Sequence, residues 1–233
     1  MRGGPATKVI GMSDRPVALI TGGSRGLGAA VARALAPAYD LILGGRGGGK
    51  LDEICKELDA RPFPVELTEI TQRDVEGLGR IDLLVHSAGV VTLGAVGETP
   101  IRVWRETFEV NVFAVAELTR LLLPSLRAAK GQVVLVNSGA GRTAHPDWGS
   151  YAASKWALRA YADVLRQEEP ELRVTTVYPG RIDTDMQRGV RRQEGGDYEP
   201  HRYLKAESVA KAVVAAVSAP PDAHLTEVVV RPR

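Results

Sequence analysis

The stretch Val17–Ala36, VALITGGSRGLGAAVARALA, restricts the fold of this chain more than any other. A short apolar run, read as a strand, enters a turn carrying Gly22, Gly26 and Gly28, and an amphipathic helix pattern follows at once. Glycine lets a backbone turn tightly and lets a pyrophosphate approach with no Cβ in the way. The helix that follows aims its free N–H groups and positive dipole end at that phosphate. Strand, turn and helix in this order make a glycine pattern specific. No Lys-Ser/Thr pair closes the turn, so it is not the loop of a nucleotide triphosphatase.

The same alternation runs down the chain. Apolar runs at Val17–Thr21, Leu41–Gly44, Pro62–Leu67, Ile81–His86, Gln132–Asn137, Arg173–Tyr178 and Leu225–Arg231 read as strands. Most are apolar on both faces, as in a parallel sheet covered on both sides. Helical periods lie between them at Leu27–Ala36, Gly49–Leu58, Ile101–Ala129, Ser150–Glu168 and Ala206–Ser218, with a weaker one at Thr71–Leu78. This order predicts an α/β, Rossmann-type, doubly wound and mainly parallel seven-stranded sheet with helices on both faces. No repeat or linker divides it, so residues 15–233 read as one dinucleotide-binding and catalytic domain. Residues 1–14 read as a disordered lead-in, which leaves Met1 and Met12 both open as the natural start. Gly189–Tyr203 shows no period and reads as a mobile loop placed to act as a lid.

Composition narrows the function classes. The net charge is +2, and the one dense basic cluster, Arg188, Arg191 and Arg192, reads as a solvated face or a small anion site, so no nucleic-acid partner is expected. The single cysteine, Cys55, occupies an apolar helical position and excludes an intrachain disulfide or a cysteine-rich zinc site. No metal site is expected. No apolar run approaches the roughly 18 residues of a membrane span, and a cytoplasmic location with no membrane partner is expected.

Two further places carry chemistry. The second strand ends at Leu43–Gly44–Gly45–Arg46, where dinucleotide folds meet the adenosine ribose. An acid there would bind the 2′-hydroxyl of NAD, whereas the planar guanidinium of Arg46, with Arg25 in the glycine turn, suits a 2′-phosphate. NADP(H) is therefore expected over NAD(H). In SYAASKWALRAYADVL, Tyr151 and Lys155 share a helix face. A free tyrosine pKa near 10 is too high for proton exchange near neutrality. An ammonium about 4–5 Å away is worth roughly 3–4 kcal/mol at an effective dielectric near 20, enough to lower that pKa by about 2–3 units. Alone, such a pair is common on helices. Ser138, ending the strand before it, either donates to a bound carbonyl or is a turn serine before Gly139. Asn111 either holds a water that relays protons to Lys155 or is a satisfied structural amide.

Taken together these residues resemble the short-chain dehydrogenases/reductases, from about Val17 to the C-terminus. TGGSRGLG, Thr21 to Gly28, is similar to that family's TGxxxGxG cofactor turn. Asn111, Ser138, Tyr151 and Lys155 resemble its catalytic tetrad in order and separation. Pro179–Gly180 resembles its PG turn. The resemblance implies a cofactor site made by Thr21, Gly22, Ser24, Arg25, Gly26, Leu27, Gly28, Arg46, Glu66, Leu67, Ser87, Ala88, Gly89, Tyr151, Lys155, Pro179, Gly180, Ile182 and Thr184. It implies hydride transfer between NADP(H) and an alcohol or carbonyl compound, as in a ketoreductase or alcohol dehydrogenase. Tyr151 would exchange the proton, Ser138 orient the substrate oxygen, Lys155 lower the tyrosine pKa and hold the ribose, and Asn111 support a water relay. It also implies a homodimer or homotetramer joined through the Ile101–Ala129 and Ser150–Glu168 helices. Three departures stand out. The family's NNAG is HSAG at His86–Gly89, its Asp-Val is Glu66–Leu67, and the crossover before Asp82 is short. None removes a catalytic group.

His145, Trp148 and Met186, with Val90, Val91 and Leu93, read either as substrate contacts or as simple packing residues. Two rival readings share these motifs. A non-enzymatic dinucleotide-binding regulator would keep the glycine turn without needing the tetrad. An epimerase or dehydratase would use the same tyrosine and lysine but usually adds a substrate domain that this chain lacks.

Overall fold

A computed structural model describes residues 14–233. The expected lead-in lies, apart from Asp14, outside the described residues, as does Met12. Seven strands form one parallel sheet in the order β3-β2-β1-β4-β5-β6-β7. They are β1 Val17–Thr21, β2 Asp40–Gly45, β3 Arg61–Pro64, β4 Leu83–His86, β5 Gln132–Val136, β6 Arg173–Pro179 and β7 Glu227–Val230. The helices are α1 Gly26–Leu35, α2 Gly49–Leu58, α3 Gln72–Val75, α4 Ile101–Phe108, α5 Ala114–Ala129, α6 Gly149–Glu168, α7 Asp185–Gln193 and α8 Ala206–Val217.

Alternation along the strands builds two cores. Ala18, Ile20, Leu41, Leu43, Leu83 and Val85 face α1, α2 and α8. Leu19, Ile42, Leu84, Val133, Leu135 and Val174 face α5 and α6. This is the doubly wound sheet with both faces covered that the apolar runs predict. The strand order reverses between β1 and β4, and ligands in such sheets bind in the crevice beyond the strand ends at that point.

Three elements differ from the sequence reading. β3 stops at Pro64 instead of Leu67, and Leu67–Glu69 form a 3-10 turn. Pro62 and Pro64 lack an N–H to donate, which suits only a short edge strand. The helix expected over Ile101–Ala129 is interrupted by a π-helical turn at Glu109–Phe113. The segment read as an aperiodic loop from Gly189 is helical to Gln193, because α7 starts at Asp185 behind the N-cap Thr184, whose hydroxyl accepts the Gln187 N–H at 3.3 Å. Arg191 and Arg192 sit in its last turn, where cations favour the helix dipole. Glu194 beyond it pairs with Arg181 and Arg191.

Candidate active site

The carboxyl ends of β1, β4, β5 and β6 open into one cleft of about 2090 Å³. That is well above the roughly 300–1,000 Å³ of an ordinary small-ligand pocket, and suits an elongated ligand with a second molecule beside it. At one end the glycine turn is packed so that side chains are excluded. Gly22 has φ +64°, and a Cβ on it would lie 2.9 Å from the Ala88 backbone. A Cβ on Gly28 would lie 2.2 Å from the Gly22 carbonyl oxygen. No side chain caps α1 and no acid lies in its first turn, so its positive end is left to the cleft.

Thr21 is buried and does not line the cleft. Its hydroxyl oxygen accepts the N–H groups of Ser87 at 3.1 Å and Ala88 at 3.2 Å, which ties the end of β1 to the turn after β4. Gly22, Ser24, Arg25, Gly26, Leu27, Gly28, Arg46, Glu66 and Leu67 line the end of the cleft at the glycine turn. Arg25 and Arg46 are exposed, and among the described residues no carboxylate pairs with either. Ser87, Ala88, Gly89, Pro179, Gly180, Ile182 and Thr184 line the middle.

Past the middle, Ser138, Tyr151 and Lys155 come together on the cleft wall. Asn137 sets the frame: its Oδ1 accepts the Ser138 N–H at 2.8 Å, and its Nδ2 donates to the Lys155 carbonyl at 3.0 Å. The Lys155 ammonium donates to the Val136 carbonyl at 3.0 Å and lies 5.7 Å from the centre of the Tyr151 ring. Burial pulls the Lys155 pKa down to about 8. Tyr151 also departs from the electrostatic expectation: burial pushes its phenol above 10, against an opposing pull from the Ser138 hydrogen bond. Desolvation outweighs the Ser138 hydrogen bond here.

Asn111 stands behind this wall, fully buried within the π turn. Its Oδ1 accepts the Val90 N–H at 2.9 Å, and its Nδ2 donates to the Val90 carbonyl at 3.0 Å and to Ser154 Oγ at 3.1 Å. The side chain thus clamps the loop after β4. Its side chain has no hydrogen bond to Lys155. His86 in place of asparagine is also satisfied, with Nε2 2.9 Å from Thr119 Oγ1.

At the other end, His145, Trp148 and Met186 line the cleft with Val90 and Val91. Trp148 meets Tyr151 edge-on with ring centres 5.7 Å apart. Sequence reasoning missed Arg181, whose guanidinium lies 5.7 Å from the Trp148 ring centre. It also missed Asn137, Ser154 and Gln187. Asn137 directly precedes Ser138 and was the most legible of these; the others have no local signature.

The family model described as short chain dehydrogenase matches residues 16–195. An uncharacterised oxidoreductase of Schizosaccharomyces pombe is 31% identical over 214 residues, covering 85% of each chain. The structure of an alcohol dehydrogenase from Thermococcus sibiricus complexed with 5-hydroxy-NADP superposes with a TM-score of 0.84 at 29% identity, covering 94% of this chain and 97% of the other. A short chain dehydrogenase from Shigella flexneri complexed with NADP gives a TM-score of 0.84 at 26% identity, with the same coverage. The chain therefore belongs to the short-chain dehydrogenases/reductases, oxidoreductases whose fold binds a nicotinamide dinucleotide and whose substrates are small molecules.

Proposed function

We propose that this chain transfers hydride between NADP(H) and an alcohol or carbonyl compound, as a ketoreductase or alcohol dehydrogenase. The observation that carries the reading is the joint placement of Ser138, Tyr151 and Lys155 on one cleft wall that continues to the glycine turn. The residues fit NADP. Arg46 at the end of β2 and Arg25 at the head of α1 offer two exposed guanidinium groups where an acid would select NAD. Two structural relatives hold NADP or a derivative of it.

A bound NADP(H) supplies the hydride at its nicotinamide. The protein supplies the proton and the geometry. Tyr151 gives a proton to the substrate oxygen in reduction and takes it back in oxidation. Ser138 donates a hydrogen bond to that oxygen, and the Lys155 ammonium stabilises phenolate character in Tyr151 and holds the ribose. Trp148, with His145 and Met186, bounds the substrate. We also take residues 15–233 as one catalytic unit that works as a homodimer or homotetramer.

Cofactor fluorescence titrations test the reading. NADPH should bind more tightly than NADH; the reverse order would sink the NADP assignment. Tyr151→Phe should lower turnover at least about 100-fold while leaving NADPH binding within about twofold of wild type. Full activity in that variant would overturn the proton chemistry.

A further inference from the structure

The end of β7 brings a cation to the cleft. Val230 closes that strand beside Pro179, and its carbonyl accepts the Gly180 N–H at 2.8 Å. Arg231 comes next, at the carboxyl edge of the sheet, where ligands of such sheets bind. It is exposed and lines the cleft together with Ser138, Gly139 and Ala140. Its guanidinium is placed from two sides. Nη1 donates to the Tyr178 carbonyl at 3.3 Å. A Cβ built on Gly139 would stand 3.1 Å from Nη1 and 3.4 Å from Nη2, so the missing side chain gives the guanidinium its room beside the residue that follows Ser138.

Charge sets Arg231 apart from its neighbours. Arg142 and Arg159 each lie 3.8 Å from Glu227 and share its carboxylate. Arg181, on the same cleft, is held by Glu194. Among the described residues, no carboxylate lies within ion-pair distance of Arg231, and its bond to Tyr178 leaves the other N–H groups of the fork without a partner. A guanidinium presents those groups in a plane that matches a carboxylate. Place in the sheet separates this cation from Arg25 and Arg46 at the glycine turn. β7 is the edge strand opposite β3, two strands beyond the β5 that leads into Ser138.

We infer that Arg231 is a substrate-specificity residue that takes a carboxylate carried on the molecule whose carbonyl oxygen meets Ser138 and Tyr151. This rests on the hydride-transfer reading above and narrows its substrates to oxo acids and the hydroxy acids they form. Hydride from NADPH and a proton from Tyr151 add across the carbonyl, and the carboxylate passes through the reaction unchanged. Its role is to anchor the molecule by charge and by paired hydrogen bonds, with the carbonyl turned to Ser138.

The test follows NADPH oxidation by wild type, Arg231→Leu and Arg231→Lys with two pairs of probes: benzoylformate and para-formylbenzoate, each against its methyl ester. The two acids place the carboxylate near to and far from the carbonyl. Wild type should favour the acid over its ester in at least one pair by about tenfold in kcat/KM. Arg231→Leu should lower that acid-to-ester ratio by about tenfold, chiefly through the KM of the acid. Arg231→Lys keeps the charge without the fork and should keep part of the preference. A ratio is insensitive to a general loss of folded enzyme, so a merely structural role for Arg231 would leave it unmoved. An unchanged ratio in Arg231→Leu overturns the proposal, as does a wild type that turns over neither acid, or each ester as well as its acid. Weaker NADPH binding in Arg231→Leu, by more than about twofold, would assign the guanidinium to the nucleotide and overturn it too. Wild type that reduces the esters with NADPH but not the acids would sink this inference alone. Wild type that binds neither NADPH nor NADH would take the hydride-transfer reading down with it.

Discussion

His86 shows how one residue can depart from its family's pattern without disturbing the site. Thr119 Oγ1 donates to the Val115 carbonyl at 2.7 Å, so toward His86 it acts as acceptor and assigns the proton to Nε2. Burial, helped by the charge on Lys155, drops the His86 pKa to about 3 from its ordinary 6.5. The folded chain therefore refuses a proton that the unfolded chain accepts. Its contribution is fully present above pH 6.5 and is lost as pH falls toward 3. At pH 4.5 the loss amounts to up to about 3 kcal/mol, at about 1.4 kcal/mol per unit. Asparagine, the family's residue here, carries no such penalty. His86→Asn should lose less stability than wild type between pH 7 and 4.5, measured by urea unfolding at both pH values. Equal losses would mean that His86 titrates normally in the fold.

The π turn at Glu109–Phe113 matters most among the elements. It lets Asn111 leave the helical pattern and hold both the N–H and the carbonyl of Val90, with Ser154 of α6 as third partner. π turns often mark functional sites, and this one fixes the loop that flanks Lys155. Asn111→Ala should cost at least about 2 kcal/mol, because it leaves buried backbone groups unpaired. The melting temperature should fall by about 4–8 °C for a chain of this size, and a melt within 1 °C of wild type would contradict the clamp. The sequence marks Asn111 as out of place in an apolar helix but carries no sign of the extra residue in the turn. α7 was hidden for a related reason. Its high charge, with Arg188, Arg191 and Arg192 in one short segment, masks the helical period, and its stability comes from Thr184 and from ion pairs to Glu194.

For the whole molecule, the outer faces of the helical layer carry large exposed apolar side chains: Ile101 at 64%, Phe113 at 53%, Val164 at 49% and Trp156 at 45%. A second copy would remove this surface from water, at about 25 cal/mol for each Å² of apolar area buried. Light scattering should give a mass two or four times the 25.0 kDa of one chain, and Trp156→Glu should shift it toward the monomer. A wild-type species at 25.0 kDa would overturn the oligomer. What the sequence by itself determined was local: a glycine turn between strand and helix, apolar runs of strand length, and a tyrosine and lysine one helical turn apart. Those features depend on neighbours within a few residues, so their spacing is readable without the fold. The tertiary structure alone decided that Thr21 braces the β4 turn, that Asn111 clamps Val90, that Asn137 ties Ser138 to Lys155, and that burial raises the Tyr151 pKa. Each of these depends on which distant groups surround a side chain and how much water they exclude, and desolvation and long-range hydrogen bonding leave no trace in residue spacing.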